Sequence, residues 1–166
     1  VSAKRYPLRY GIGPTDVETL LINPVTDAKY LVTKELFAGR VIQLPGSLRE
    51  GVTTKLKASA VDLMGFVTDG TFSLNGRYAI VRGYFSLTVY DATTWKVVSE
   101  QSLPRQKQGE SIARQRSGRP VLIGSEGVDS AYRRVRVALI AAPETPATEA
   151  PLPGDAGNCR HTPQQY

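Results

Sequence analysis

Four acidic side chains stand at the heads of β-rich runs that are widely spaced in the chain: Asp16, Glu18, Asp69 and Glu110. Four further charged residues, Lys34, Glu35, Arg82 and Glu126, stand just behind such runs. Carboxylates gathered in one confined place repel one another, which raises their proton affinity until a cation or a basic side chain neutralises them. Two neutralisers suit these residue types. Lys34 and Arg82 would give an internal salt-bridge network, which is the first expectation. A hard cation such as Ca²⁺, held by Glu18 and Glu110 with further oxygens, is the second. A third chemistry is carboxylate catalysis, in which the cation activates water and holds a phosphate or ester oxygen while Glu18 and Glu110 serve as ligands or base. The single histidine, His161, and the single cysteine, Cys159, lie in a Pro-rich C-terminal stretch. The rest of the chain therefore has no Ser-His-Asp or Cys-His arrangement, no cysteine-rich metal site and no internal disulfide.

Residues so far apart in sequence meet only if the elements that carry them repeat in space. From residue 6 to residue 140 the chain is a succession of short β-rich runs, with no window holding the 3.6-residue apolar period of an amphipathic helix. Strands are expected over residues 19–22, 29–33, 40–43, 71–73, 78–82, 86–90, 96–103, 111–114, 121–125 and 132–137. Turn residues separate them, as in Asn23-Pro24-Val25-Thr26-Asp27, Leu74-Asn75-Gly76-Arg77, Asp91-Ala92-Thr93-Thr94 and Arg116-Ser117-Gly118-Arg119.

Three stretches are self-similar. Asp16-Val17-Glu18-Thr19-Leu20-Leu21, a turn and Lys29-Tyr30-Leu31-Val32-Thr33-Lys34 match Thr68-Asp69-Gly70-Thr71-Phe72-Ser73, a turn and Arg77-Tyr78-Ala79-Ile80-Val81-Arg82. Gln108-Gly109-Glu110-Ser111-Ile112-Ala113, a turn and Pro120-Val121-Leu122-Ile123-Gly124-Ser125 form the third copy. Aligned on Glu18, Gly70 and Glu110, the copies begin about 52 and 40 residues apart, the length of one four-stranded propeller blade each. The fold class expected is all-β: a partial β-propeller of about three four-stranded blades, near residues 10–60, 61–104 and 105–140, within a domain of residues 1–140. In a propeller the first strand of each blade lines the central channel, so the residues at its head gather at one mouth. The ligand-binding set expected there is Asp16, Glu18, Lys34, Asp69, Arg82, Glu110 and Glu126, with Glu18 and Glu110 as the metal-ligating pair.

Three blades leave a ring open, since closed propellers have four or more. The missing blades are expected from the same precursor or from another chain. The opening Val1-Ser2-Ala3-Lys4-Arg5-Tyr6, with neither an initiator Met nor a signal pattern, supports the reading that the chain is one piece of a longer protein. Residues 141–166 hold five of the eleven prolines and read as a disordered Pro/Ala/Thr-rich tail, because few apolar groups offset the entropy of ordering it. Charge is uneven: residues 1–140 carry 20 Lys/Arg against 12 Asp/Glu. That excess favours an anionic ligand or polymer. No stretch approaches the roughly 20 apolar residues of a membrane-crossing helix.

The same repeats resemble a large group of bacterial propellers, actinobacterial secreted ones among them, and are distantly similar to esterase-like phytase-type propellers. The residues that carry the resemblance are Asp16-Val17-Glu18-Thr19-Leu20-Leu21, Asp69-Gly70-Thr71-Phe72 with Asn75-Gly76-Arg77-Tyr78, and Gly109-Glu110-Ser111-Ile112-Ala113 with Glu126-Gly127. It implies an extracytoplasmic or secreted protein. Gly70 departs from the pattern and breaks the expected ring of carboxylates at the middle blade. The function expected is a non-catalytic ligand- or protein-binding module of a longer or multi-chain propeller; the alternative is a metal-dependent phosphoester or ester hydrolase with a carboxylate-lined channel site. Among the basic residues, Arg134 and Arg136 read as the solvent face of an edge strand guarded against sheet association. Arg105, Lys107, Arg114, Arg116 and Arg119 are spread over turns without the interleaved aromatics of a base-stacking surface, so nucleic acid is not an expected partner.

Overall fold

The computed structural model describes residues 2–116 and 120–138. The expected tail, with Cys159 and His161, and the turn residues 117–119 lie outside the described residues. Twelve strands follow one another without a helix: β1 (Leu8–Tyr10), β2 (Val17–Ile22), β3 (Lys29–Thr33), β4 (Val41–Gln43), β5 (Thr54–Leu56), β6 (Asp69–Phe72), β7 (Tyr78–Arg82), β8 (Ser86–Asp91), β9 (Val97–Ser102), β10 (Gly109–Arg114), β11 (Pro120–Ser125) and β12 (Arg133–Arg136). They build three antiparallel meanders, β2-β3-β4, β6-β7-β8-β9 and β10-β11-β12, and one parallel pair, β1-β5. The fold is all-β.

The meanders are blades. β6, which opens the middle meander, lies beside both β2 and β10, which open the other two, so the sheets fan out face to face from a shared inner edge. Two cores fill the gaps between them. Leu21, Val32 and Val41 of the first blade meet Phe72, Ala79, Val81 and Tyr90 of the second. The opposite face of the second blade, with Tyr78, Ile80, Leu87 and Val89, meets Ile112, Val121, Ile123 and Val135 of the third. The middle strand β7 is therefore covered on both sides, and its run Tyr-Ala-Ile-Val-Arg is buried throughout. A strand buried on both faces reads as a continuous apolar run rather than an alternation.

Turn chemistry sets the strand spacing. Asn23 Oδ1 accepts the Val25 and Thr26 amides at 3.0 and 3.2 Å, closing the first turn from within, while its Nδ2 donates to Gly76 O at 2.8 Å in the equivalent turn of the next blade. Gly76 holds φ at +67°, and a Cβ there would lie 2.3 Å from Asn23 Oδ1. Both features demand glycine.

The middle blade has the four strands expected of it, and its neighbours have three each. In the first blade the outer edge of β4 is bordered by a short return of the chain instead of a full strand. Ser59 N donates to Val41 O at 2.8 Å, and Arg40 forms an isolated bridge with Asp62. Between β4 and that return, the chain makes β5 and pairs it with β1, an association that the strand pattern did not anticipate. Leu8 and Tyr10 of β1 and Leu56 of β5 cover Leu31, Ile42 and Leu44 on the outer face of the first blade. Leu20 and Ile22 on that face remain 55% and 47% exposed.

Candidate functional site

The hairpins show how the blades correspond. Each inner hairpin closes with the same backbone hydrogen bond across a six-residue turn, from Asn23 N to Ala28 O, Ser73 N to Tyr78 O and Gln115 N to Pro120 O. Counting back from these turns, Thr19↔Val32, Asp69↔Arg82 and Ser111↔Gly124 occupy the same rung. The residues one step earlier are then Glu18, Thr68 and Glu110. Thr68, and not Gly70, is the middle-blade counterpart of the two glutamates.

Bulges explain why the apolar pattern misaligned this position. The ladder slips between Val17 and Thr19 in β2 and between Gly109 and Ser111 in β10, so Glu18 and Glu110 are extra residues without a rung partner. A bulged residue breaks the alternation and re-aims its side chain. Both glutamates are thereby turned out of the packed faces toward the inner end of the arc.

There they share one groove of about 560 Å³, lined by Glu18, Lys34, Thr68, Glu110, Ser111 and Glu126 together with Gln108 and Ser125. Lys34 Nζ lies 3.1 Å from Glu18 Oε1 and 5.2 Å from the centre of the Tyr84 ring. Tyr84, and after it Glu18, holds the Lys34 ammonium well above the ordinary lysine range, against the opposing effect of burial. Glu126 is anchored by Gln108, whose Nε2 donates to the carboxylate and whose carbonyl accepts the Glu126 amide at 2.8 Å. Among the described residues Glu110 forms no ion pair. Three carboxylates thus face one ammonium, amid the hydroxyls of Thr68, Ser111 and Ser125.

Asp16 lines an adjoining hollow of about 360 Å³ with Glu35, Arg40 and again Lys34, whose amide donates to Asp16 O at 2.9 Å. Asp69 and Arg82 lie elsewhere. Both sit in the seam between the second and third blades. Asp69 accepts the Gly70 amide on Oδ1 and the Ile112 amide on Oδ2, each at 2.7 Å, and so ties β6 to β10. Burial raises the proton affinity of Asp69, although these two amides and the nearby Arg82 oppose it. Arg82 is fully buried. Its Nη1 donates to Ser111 O at 3.0 Å, Gly124 O at 3.2 Å and Gln106 Oε1 at 3.2 Å, and its Nε to Gly83 O at 3.1 Å. Burial lowers its proton affinity, while Asp69 and Glu110 work against that. Gly109 makes the room: a Cβ there would lie 2.0 Å from Arg82 Nη2. On the equivalent rung of the first blade, Val32 and Thr19 are in place of Arg82 and Asp69.

Of the seven residues expected at the channel mouth, Glu18, Lys34, Glu110 and Glu126 meet in the groove, Asp16 borders it, and Asp69 and Arg82 join blades. Thr68, Gln108, Ser111 and Ser125 are groove residues that the charge pattern alone did not flag. Anchoring the alignment on the three turns would have found Thr68. Glu18 is engaged by Lys34, and among the described residues no three His, Cys, Asp or Glu side chains are grouped closely enough to hold a metal.

No protein-family model matches the chain, and no curated protein matches it. Among solved structures it is similar to the Dos1 propeller, with a TM-score of 0.48 and 15% identity, over 70% of this chain and 30% of that one. It is also similar to Kluyveromyces lactis Hsv2, with a TM-score of 0.40 and 8% identity, over 74% of this chain and 37% of that one. The chain thus spans well under half the length of either. Its own strand order and the packing of its sheets make it an arc of a propeller.

Proposed function

We propose that the chain is a non-catalytic binding segment of a multi-blade propeller, completed by further blades from the same polypeptide or another chain, and that the groove at its inner end is the recognition surface. One observation carries the reading. The heads of three successive inner strands, Glu18, Thr68 and Glu110, converge on a single polar groove together with Lys34 and Glu126. Its carboxylates outnumber its ammonium, so the ligand favoured there is cationic or rich in hydroxyls, such as a protein segment bearing Lys or Arg. The exposed Leu20 and Ile22 on the outer face of the first blade support completion by another blade. The extracytoplasmic setting implied by the resemblance to bacterial propellers belongs to the same proposal.

The test is fluorescence polarisation with matched basic and acidic peptides, alongside assays of phosphomonoester and carboxylic ester turnover. The basic peptide binds, and Glu18→Gln with Glu110→Gln weakens it about fivefold or more at low salt. Equal binding of both peptides would sink the proposal. Turnover that disappears in the same double variant would replace it with the hydrolase alternative.

A further inference from the structure

Large apolar side chains crowd the surface where the first two blades meet. The β3–β4 connection displays Leu36 and Phe37, the latter 88% exposed; the approach to β6 displays Phe66, and the β7–β8 turn displays Phe85, 72% exposed, beside a half-buried Tyr84. The Tyr84 ring centre lies 6.4 Å from that of Phe66 and 6.2 Å from that of Phe85, so three rings from two connections form one aromatic ledge. The backbone holds it in place. Phe66 N donates to Glu35 O at 2.8 Å, Gly39 N to Met64 O at 3.0 Å, and Phe85 O accepts the Leu103 amide at 2.8 Å. A Cβ on Gly65 would lie 2.5 Å from Leu36 O and 2.8 Å from Phe37 O, so the β3–β4 connection packs directly on the backbone that carries Phe66. Phe66 itself is held at φ +53°, a conformation that a bulky residue adopts only where its surroundings impose it.

Completion of the ring does not account for these rings. The ledge spans the junction of the first and second blades, which already pack on each other, whereas added blades would cover the free faces at the ends of the arc. The ledge also runs without a break into the acidic groove. Lys34, whose ammonium lies 5.2 Å from the Tyr84 ring centre, is the residue that pairs with Glu18, and beyond it Glu110 and Glu126 leave the groove with surplus negative charge. We propose that Phe66, Tyr84 and Phe85, with Phe37 beside them, are the apolar anchor site for the partner that the groove takes: a protein segment in which a large apolar side chain neighbours Lys or Arg. This rests on the groove being the recognition surface. The rings supply affinity at little ordering cost because the loops are already set, and the carboxylates supply orientation. An anionic bilayer, another cover for exposed aromatics, would be repelled by those carboxylates.

The test is binding of three fluorescent peptides to the full chain: one with Leu among lysines, one with Ser in place of that Leu, and one with Leu among glutamates. The Leu-and-lysine peptide should bind about tenfold more tightly than its Ser counterpart, and that gain should persist at high salt while the lysine contribution is screened. Phe37→Ala with Phe85→Ala should remove the gain and leave the Ser peptide within about twofold. Both side chains are exposed, and an unchanged urea midpoint confirms that the double variant is folded. Four results would overturn the anchor site while leaving the lysine preference of the groove standing: no gain from Leu, a gain that survives the double variant, an equal gain from Leu in an acidic peptide, or vesicles of phosphatidylcholine and phosphatidylserine that bind the parent and not the double variant. Failure of the groove reads differently, since lysine and glutamate peptides would then bind alike, and it would take the anchor proposal with it.

Discussion

Replacing Arg82 by Met tests whether the seam between the second and third blades depends on a buried cation. The substitution keeps most of the aliphatic stem and removes the guanidinium, with its three hydrogen bonds to Ser111 O, Gly124 O and Gln106 Oε1 across the seam. Hydrogen bonds to a charged group contribute about 1.5–3 kcal/mol each, and the two Nη1 hydrogens serve all three acceptors, so the gross loss is about 3–6 kcal/mol. Relief from holding a cation out of water returns part of that. The net expectation is destabilisation of about 3 kcal/mol, which at a urea slope of roughly 2 kcal/mol/M lowers the midpoint by about 1.5 M. Trp95, the only tryptophan, meets Tyr30 edge-on at 5.2 Å between the first and second blades, so its fluorescence reports the seam that Arg82 does not join. Circular dichroism should therefore detect loss of the third blade at lower urea than tryptophan fluorescence does. A midpoint within about 0.3 M of the parent would refute the reasoning, since buried hydrogen bonds of this kind are not neutral to lose.

Burial holds the Asp69 carboxyl above its ordinary value of 3.8, so the folded chain takes up the proton more readily than the unfolded one, and its stability falls as pH rises from about 3.8 through the raised value. Asp69→Asn removes that dependence; urea melts at pH 3 and pH 7 should show the variant at a smaller disadvantage at pH 7. Gly76→Ala places a Cβ at positive φ against Asn23 and should cost about 1–2 kcal/mol in the same assay, while the exposed Gly46 provides the control. Leu20→Lys with Ile22→Lys should reduce any concentration-dependent association seen by sedimentation, leaving the groove affinity within about twofold; unchanged association would remove the outer face of the first blade as a docking surface.

The strands and the three repeats were legible because both signals are local: β-branched runs alternate or stay apolar, and Asn, Asp and Gly mark the turns between them. β1 and β5 were not. Each is three residues long, and each forms only by pairing in parallel with a distant partner, an arrangement with no local signature. The bulges were hidden as well, since the two-for-one count that defines them requires the partner strand, and without them Gly70 took the place of Thr68. Arg82 posed a different difficulty. A charge at the end of an apolar run reads as a partner for the channel-mouth carboxylates, and its acceptors at Ser111 and Gly124 are backbone carbonyls that leave no trace in side-chain chemistry. The legible clue was glycine at 109, whose missing side chain makes space for the guanidinium.

Glu18 and Glu110 are supernumerary in their ladders, and this separates two demands that most strand residues must meet together. A residue on a rung answers to its cross-strand neighbour and to the core behind it, whereas an inserted one has no rung partner to satisfy. The side chains at these two positions can therefore drift, reverse charge or be engineered anew while the sheets beneath keep their register.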